Sequence, residues 1–452
     1  MKRGAQKRGQ SRRATPDFPI RIDRISHEGR GLVRWGDRML FVDGALPGEL
    51  VQVRITQKSS KVAEAVAVAI LDPSPMRQTP SCPHAHQCGG CSLQHMPHQD
   101  QLQHKTDTLH ALMEKEQVAL AKVQQLPTLT GPTRGYRRRA RLGVRWVRAK
   151  ERVLVGFREK ASNFIADIDG CEVLDARIGQ SLTLLAEAIA ATSTPDRVPQ
   201  VEVAAGDDVL AIVIRHLDPL SDTDLEVFRQ LGARTGWHVY LQPKGPDTVH
   251  RIWPADGPAY LTYRIGELGL EYRFQVTDFT QINAPINQKM VLAALDLLNF
   301  QGHEHVLDLF CGLGNFTLAA ATRAAQVTGV EVSATMVERV LTNAAHNDLA
   351  NVDAVAFDLT QPLQEQPFAK MQFDTLIVDP PRSGAKEALE ALPLKQFERV
   401  LYVSCNPATL ARDAAILLDR GFRMTHLGIM DMFPETSHVE SMALFVRSGS
   451  RG

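Results

Sequence analysis

The chain has little cysteine, no excess of charge of either sign, and no long apolar run. Six cysteines in 452 residues are too few for a disulfide scaffold, and their uneven placement favours metal or catalytic use. Lys plus Arg and Asp plus Glu number 51 each, so the whole-chain charge does not point to a polyanionic partner. No stretch approaches the ~20 apolar residues of a membrane span, and the first twenty residues lack the apolar centre of a secretion signal. A cytoplasmic protein with no membrane partner is the expectation.

Local charge is different. Lys2, Arg3, Lys7, Arg8, Arg12 and Arg13 precede the first acid, Asp17, and read as a flexible basic tail over residues 1–15 that can contact phosphate. Length alone suggests about three domains. Over residues 16–74, Ile20, Ile22 and Ile25 alternate, and three further apolar stretches follow, punctuated by Gly29, Gly31, Gly36, Gly44 and Gly48. Short strands with glycine turns at this spacing predict a small barrel of the oligonucleotide-binding kind. Residues 75–262 open with a proline-marked linker and a cysteine cluster. A polar helix over 99–121 follows, placed to pack away from its sequence neighbours, and then mixed strands with a helix over 178–191. From 263 to 452 strands alternate with helices: the apolar runs Val306–Phe310, Val327–Val330, Val352–Phe357, Thr375–Val378 and Val400–Val403 predict a doubly wound α/β sheet with its ligand at the carboxyl ends of the strands.

The chemistry-bearing residues fall at those ends. Asp308-Leu309-Phe310-Cys311-Gly312-Leu313-Gly314-Asn315 joins the first strand to its helix, with glycines that let the backbone approach a ligand. A dinucleotide fingerprint needs a third glycine where Thr317 stands. Glu331 ends the next strand, where a carboxylate can take both ribose hydroxyls, and Asp358 ends the third, in reach of an adenine. An adenosyl ligand without pyrophosphate, S-adenosylmethionine, fits this set. Asp379-Pro380-Pro381-Arg382 ends the fourth strand, with prolines holding the carboxylate at the tip; Arg382 stands where amino-group methyltransferases carry a stacking aromatic. Cys405, in Ser404-Cys405-Asn406-Pro407, ends the fifth strand just before a helix, whose amino terminus is expected to lower the thiol pKa. A thiolate there can add to C6 of a uracil and make C5 nucleophilic. The C5 proton must then be removed, and the loop before the last strand offers Glu435, His438 and Glu440, among which spacing does not choose. Cys311 reads as structural.

These motifs resemble the RNA uracil-C5 methyltransferase family through nearly the whole chain. The resemblance implies a Rossmann-like class I methyltransferase domain with Cys405 as nucleophile and Glu440 as base. It places the donor contacts on Gln281, Phe310, Asn315, Glu331, Asp358 and Asp379. Ser26-His27-Glu28-Gly29-Arg30-Gly31 and Gly44-Ala45-Leu46-Pro47-Gly48-Glu49 resemble a TRAM domain, which implies that the barrel binds RNA with help from Arg30, Arg34 and Lys58.

Cys82, Cys88, Cys91 and Cys171 supply four thiolates. A four-thiolate site suits zinc as well as iron–sulfur; the family branch resembled implies a [4Fe-4S] cluster in a central α+β domain, structural in role. Barrel and cysteine set together resemble the branch that methylates bacterial 23S ribosomal RNA, acting as a monomer. A tRNA substrate is the enzymatic alternative, and an RNA-binding or chaperone module the non-catalytic one. Gly135-Tyr136-Arg137-Arg138-Arg139-Ala140-Arg141 reads as a phosphate-contacting, base-stacking element.

Overall fold

The computed structural model describes residues 17–363 and 366–449. The basic tail lies outside them. Two compact units result, Met1–Ser81 with Ser92–Gln101 and Cys82–Cys91 with Leu102–Gly452.

In the first unit, six strands form one sheet in the order Phe18–Arg21, Leu50–Lys58, Val62–Asp72, Arg38–Asp43, Gly31–Trp35, Arg24–Ile25. Neighbours are antiparallel except Arg38–Asp43 beside Val62–Asp72. Alternation drives Val33, Leu40, Val42, Val51 and Val53 into one core with Ile22 and Ala45. The fully buried Glu49 accepts the Leu46 N–H at 2.8 Å and Arg77 Nη2 at 2.8 Å. Arg30 is spent inside the unit: it lies over Phe41 and pairs with Glu28 and Glu64. Its role is structural here. Lys58 instead sits over Trp35, which stacks on Phe18.

The second unit holds two large sheets. One runs His250–Trp253, His238–Gln242, Leu210–Arg215, Gln200–Ala205, Arg139–Val147, Arg152–Gly156, with the helices Leu182–Ala190 and Asp222–Thr235 packed on its apolar side chains through Leu185, Ile189, Phe228 and Leu231. The helix anticipated over 178–191 is broken into Ala176–Gly179 and Leu182–Ala190. The Gly179 carbonyl accepts the Cys171 N–H at 2.9 Å instead of a helical donor, and the two backbones lie so close that a Cβ on Gly179 would stand 2.3 Å from the Cys171 carbonyl oxygen.

The other sheet has eight strands, Val352–Ala356, Gln326–Glu331, His305–Leu309, Thr375–Val378, Arg399–Ser404, Glu440–Arg447, Phe422–Met430 and Gln124–Gln125. The first five are parallel, and Glu440–Arg447 runs antiparallel between Arg399–Ser404 and Phe422–Met430. Both faces are covered, which explains strands read as continuous apolar runs. Val306 and Val327 face a core with the helix Ala284–Leu298; Leu307, Leu309 and Leu376 face another with Leu389, Leu410 and Ala414. Strand order reverses between His305–Leu309 and Thr375–Val378, so the crevice for a ligand opens at their carboxyl ends.

The polar helix His98–Lys115 is shorter than its sequence suggested, and Gln117 beyond it is left-handed, φ +59°. Its Leu109 and Met113 enter the second of those cores. One turn earlier, Lys105 is fully buried, and its Nζ donates to Asp431 Oδ1 at 2.6 Å and to the Phe433 carbonyl at 3.0 Å. A buried pair is worth little over apolar residues of the same volume, but removing one partner costs far more. Lys105→Met should therefore destabilise the unit by about 3–5 kcal/mol in urea unfolding, while Lys105→Met with Asp431→Leu should stay close to wild type. Equal losses in both would contradict that account.

Candidate active site

The carboxyl end of His305–Leu309 runs into Phe310, at φ +61°, then Gly312 at +56° and Gly314 at +95°. A left-handed phenylalanine costs on the order of 1–3 kcal/mol, and such strain persists only where surrounding structure enforces it. A Cβ on Gly314 would meet Leu318 Cδ1 at 2.4 Å, so that turn is closed to larger residues. Glu331 faces the loop: Oε2 accepts the Gly312 N–H at 3.2 Å and Oε1 the Ser333 N–H at 3.1 Å. Beside it Val332 is 65% exposed. Asp358 accepts the hydroxyl and N–H of Thr360 at 2.7 and 3.0 Å, bonds that hold its carboxyl below the usual range and keep it ionised.

Asn315 is largely engaged within the protein. Its Oδ1 accepts the Tyr263 hydroxyl and Asn287 Nδ2, both at 3.0 Å, and its Nδ2 donates to Asn287 Oδ1 at 2.8 Å. One amide hydrogen is left for a ligand. Gln281 lines the same small cleft with Tyr263, Asn287 and Arg138, and nearby Phe279 is 69% exposed.

Asp308 is the residue that motif spacing underrated. It is fully buried; Oδ2 accepts the Thr317 hydroxyl at 2.5 Å, and Oδ1 has no hydrogen-bond partner among the described residues. Burial pushes its carboxyl up to about 7, with Asp379 adding to the rise. Burial also pushes Asp379 up to about 7. An orphaned oxygen between carboxyls that resist ionising fits a ligand that brings positive charge, as a sulfonium donor with an ammonium group does. A charged residue inside an apolar strand was the available signal.

Cys405 follows Arg399–Ser404 and precedes the helix Pro407–Asp419. Asn406 caps that helix, its Oδ1 accepting the Ala408 N–H at 3.2 Å while Nδ2 donates to the Arg382 carbonyl at 2.9 Å. Glu440 opens the neighbouring antiparallel strand, in which Ser441 faces Ser404. That pair ends the ladder with Arg399–Ser404; Cys405 follows it in a bend, and Glu440, next to Ser441, is close enough for its charge to act on the thiol. Of the three base candidates, Glu440 alone lies in a strand; Glu435 is a left-handed corner at φ +66° and His438 is exposed, its Nδ1 3.4 Å from Arg382 Nη2.

The anticipated low thiol pKa is not what this geometry gives. Burial, then Glu440 and Asp379, push the Cys405 thiol up to about 11, against a smaller pull from Arg382. Burial and Asp379 likewise raise Glu440 well above the carboxylate range. Burial and the two neighbouring carboxyls together oppose ionisation of the thiol, which outweighs one helix terminus.

Known proteins bear on this arrangement. The sequence profile of the tRNA (Uracil-5-)-methyltransferase family matches residues 97–448, and that of the TRAM domain residues 17–68. The chain is 48% identical to the 23S rRNA (uracil(1939)-C(5))-methyltransferase RlmD of Alcanivorax borkumensis, over 95% of this chain and 96% of that protein. It is 46% identical to the RlmD of Hahella chejuensis, over 94% and 96%. The chain belongs to the uracil-5-methyltransferase family. The fold is also that of the Pyrococcus abyssi tRNA (uracil-54, C5)-methyltransferase in complex with S-adenosyl-L-homocysteine, with a TM-score of 0.73 at 22% identity over 95% of this chain and 100% of that one.

In this family member Cys311 is buried in the core. Cys82, Cys88, Cys91 and Cys171 are half-buried and form no disulfide. Burial raises both the Cys88 and Cys171 thiols, with Cys82 near each. Gly90 N–H approaches Cys88 Sγ at 3.4 Å, and Cys171 accepts from the backbone of Leu174 and Val173. Such N–H contacts suit thiolates. Among the described residues, however, no three His, Cys, Asp or Glu side chains are gathered as a metal set.

The arginine-rich segment does not match its RNA reading. Arg138 pairs with Asp207, Arg141 with Glu202, and Arg139 turns inward to the Val276 carbonyl at 3.0 Å. Tyr136 is 3% exposed and cannot stack on a base. Basic residues adjacent in sequence find acids from other strands, a pairing no local pattern reveals.

The acid-crowded pocket predicts the behaviour of its sulfur. In the ligand-free protein, alkylation of Cys405 by iodoacetamide should be slow at neutral pH and rise with an inflection near pH 11. Sinefungin, which carries an amine where the donor has its sulfonium, should move the inflection down. An inflection at or below that of a free cysteine, ~8.5, in the ligand-free protein would contradict the burial argument.

Proposed function

We propose that this protein transfers a methyl group from S-adenosylmethionine to C5 of a uridine in bacterial 23S ribosomal RNA, at the position named in its RlmD relatives, giving 5-methyluridine. The observation that carries the reading is Cys405 at a strand end within electrostatic reach of Glu440 and Asp379, beside the strained Phe310–Asn315 loop. Relatives at 48% and 46% identity along almost the whole chain favour the ribosomal substrate over tRNA, whose enzyme matches at 22%. Such an enzyme works in the cytoplasm, where ribosomes assemble.

Glu331 holds the ribose, Asp358 the adenine edge, and Gln281, Phe310 and Asn315 the remaining contacts of the donor. Asp379 orients donor or base. When bound, S-adenosylmethionine supplies an electrophilic methyl. The target uridine leaves its stack, which costs a few kcal/mol unless it is already unpaired. The Cys405 thiolate bonds to C6 and shifts electron density to C5, which takes the methyl. Glu440 then removes the C5 proton, and the C6–S electrons return to sulfur. Phe18, Trp35 and Lys58 of the TRAM unit are suited to stack on and neutralise RNA.

Cys82, Cys88, Cys91 and Cys171 hold a [4Fe-4S] cluster, a reading supported by the thiolate-suited N–H contacts at Cys88 and Cys171 and by the family resemblance. It is structural, since methyl transfer needs no electron. Anaerobically purified protein should be brown and contain iron and acid-labile sulfide; colourless protein with stoichiometric zinc would overturn this assignment.

Two variants test the chemistry. Cys405→Ala should abolish methylation, whereas Glu440→Gln should methylate once and remain bound to RNA in a complex that survives denaturant. Release of 5-methyluridine by Glu440→Gln at the wild-type rate would remove Glu440 from the base role.

A further inference from the structure

The segment Gly135–Arg138 joins two parts of the second unit through its backbone. Gly135 and Arg137 donate N–H to the carbonyls of Glu172 and Val173, just beyond Cys171, at 2.8 and 2.9 Å. Arg138 donates to the Ile282 carbonyl at 2.9 Å, and Arg137 bridges Asn283, just beyond Gln281. Between these contacts the Tyr136 side chain is buried, and its hydroxyl donates to the Pro434 carbonyl at 3.0 Å.

Pro434 lies on the strap 431–439 that leads into Glu440. Three successive strap carbonyls each receive a side-chain donor from a different segment: Met432 from Asn283 Nδ2 at 3.3 Å, Phe433 from Lys105 Nζ at 3.0 Å, and Pro434 from Tyr136. Connecting segments ordinarily run over the surface and move. Here buried donors fix the loop, and the group immediately downstream is Glu440. Cys405 is placed independently, by its own strand and the Asn406 cap.

We propose that Tyr136 and Lys105 are positioning residues that hold the strap so that Glu440 meets the C5 proton, and that they act on proton removal and release rather than on methyl transfer. The inference rests on the reading of Glu440 as base. Loss of the Tyr136 hydroxyl removes one neutral hydrogen bond from the strap, which at this site should slow release about fivefold to tenfold.

The test is single-turnover kinetics on an RNA oligonucleotide with Tyr136→Phe and with Lys105→Met/Asp431→Leu, following formation and decay of the covalent protein–RNA complex. Formation should stay within about twofold of wild type, while decay slows and the complex accumulates. Amide exchange over 431–440 should quicken in both variants, with Arg399–Ser404 unchanged. Formation and decay falling together, or unchanged decay, would overturn the proposal. Fast exchange of the strap in the wild-type protein would do so without any variant. Glu440→Gln run in parallel separates the two readings. If it traps the complex and the strap variants do not, the positioning role fails alone; if it releases product normally, the base assignment fails first.

Discussion

Antiparallel pairing of Glu440–Arg447 against Arg399–Ser404 brings the start of one strand beside the end of the other, and so a carboxyl near a thiol at the carboxyl ends of the parallel strands. Parallel strands alone deliver one side chain per strand tip, each separated by a crossover helix. An antiparallel neighbour adds a residue from the following loop. A nucleophile and a base for the same ring need that proximity, because C6 and C5 are bonded neighbours and each must meet its own group.

The same proximity has an electrostatic consequence. Cys405, Glu440 and Asp379 oppose one another's ionisation, and Asp308 lies close behind Asp379 with an oxygen that no side chain satisfies. At neutral pH the Cys405 thiol therefore stays protonated, while Asp308 and Asp379, near 7, lie close to their midpoints.

Much of this was legible in the chain. The five parallel strands were readable within a residue or two, since all but the edge strand are buried on both faces and appear as apolar runs, with Asp308, Glu331, Asp358, Asp379 and Cys405 at or near their ends. Breaks in helices were less so: Gly179 ends one where its carbonyl accepts the Cys171 N–H from outside the helix, whereas the left-handed Gln117 closes another through local bonds, with the Val118 N–H on the Met113 carbonyl. The strand Phe422–Met430 went unread. The direction of the Cys405 shift was misjudged because the helix terminus is local in sequence, whereas the opposing carboxyls arrive from two other strands. Likewise the arginine run read as a nucleic-acid contact, whereas acids and carbonyls distant in sequence hold Arg138, Arg139 and Arg141.

The most direct measurement of the central claim is incubation of the protein and donor with 5-fluorouridine-substituted substrate RNA, in which fluorine cannot leave as the C5 proton does. The account predicts a denaturant-stable protein–RNA complex carrying the transferred methyl, with the nucleotide attached to Cys405 in the digested protein. Absence of a complex under conditions where unsubstituted RNA is methylated, or attachment to another residue such as Cys311, would contradict it.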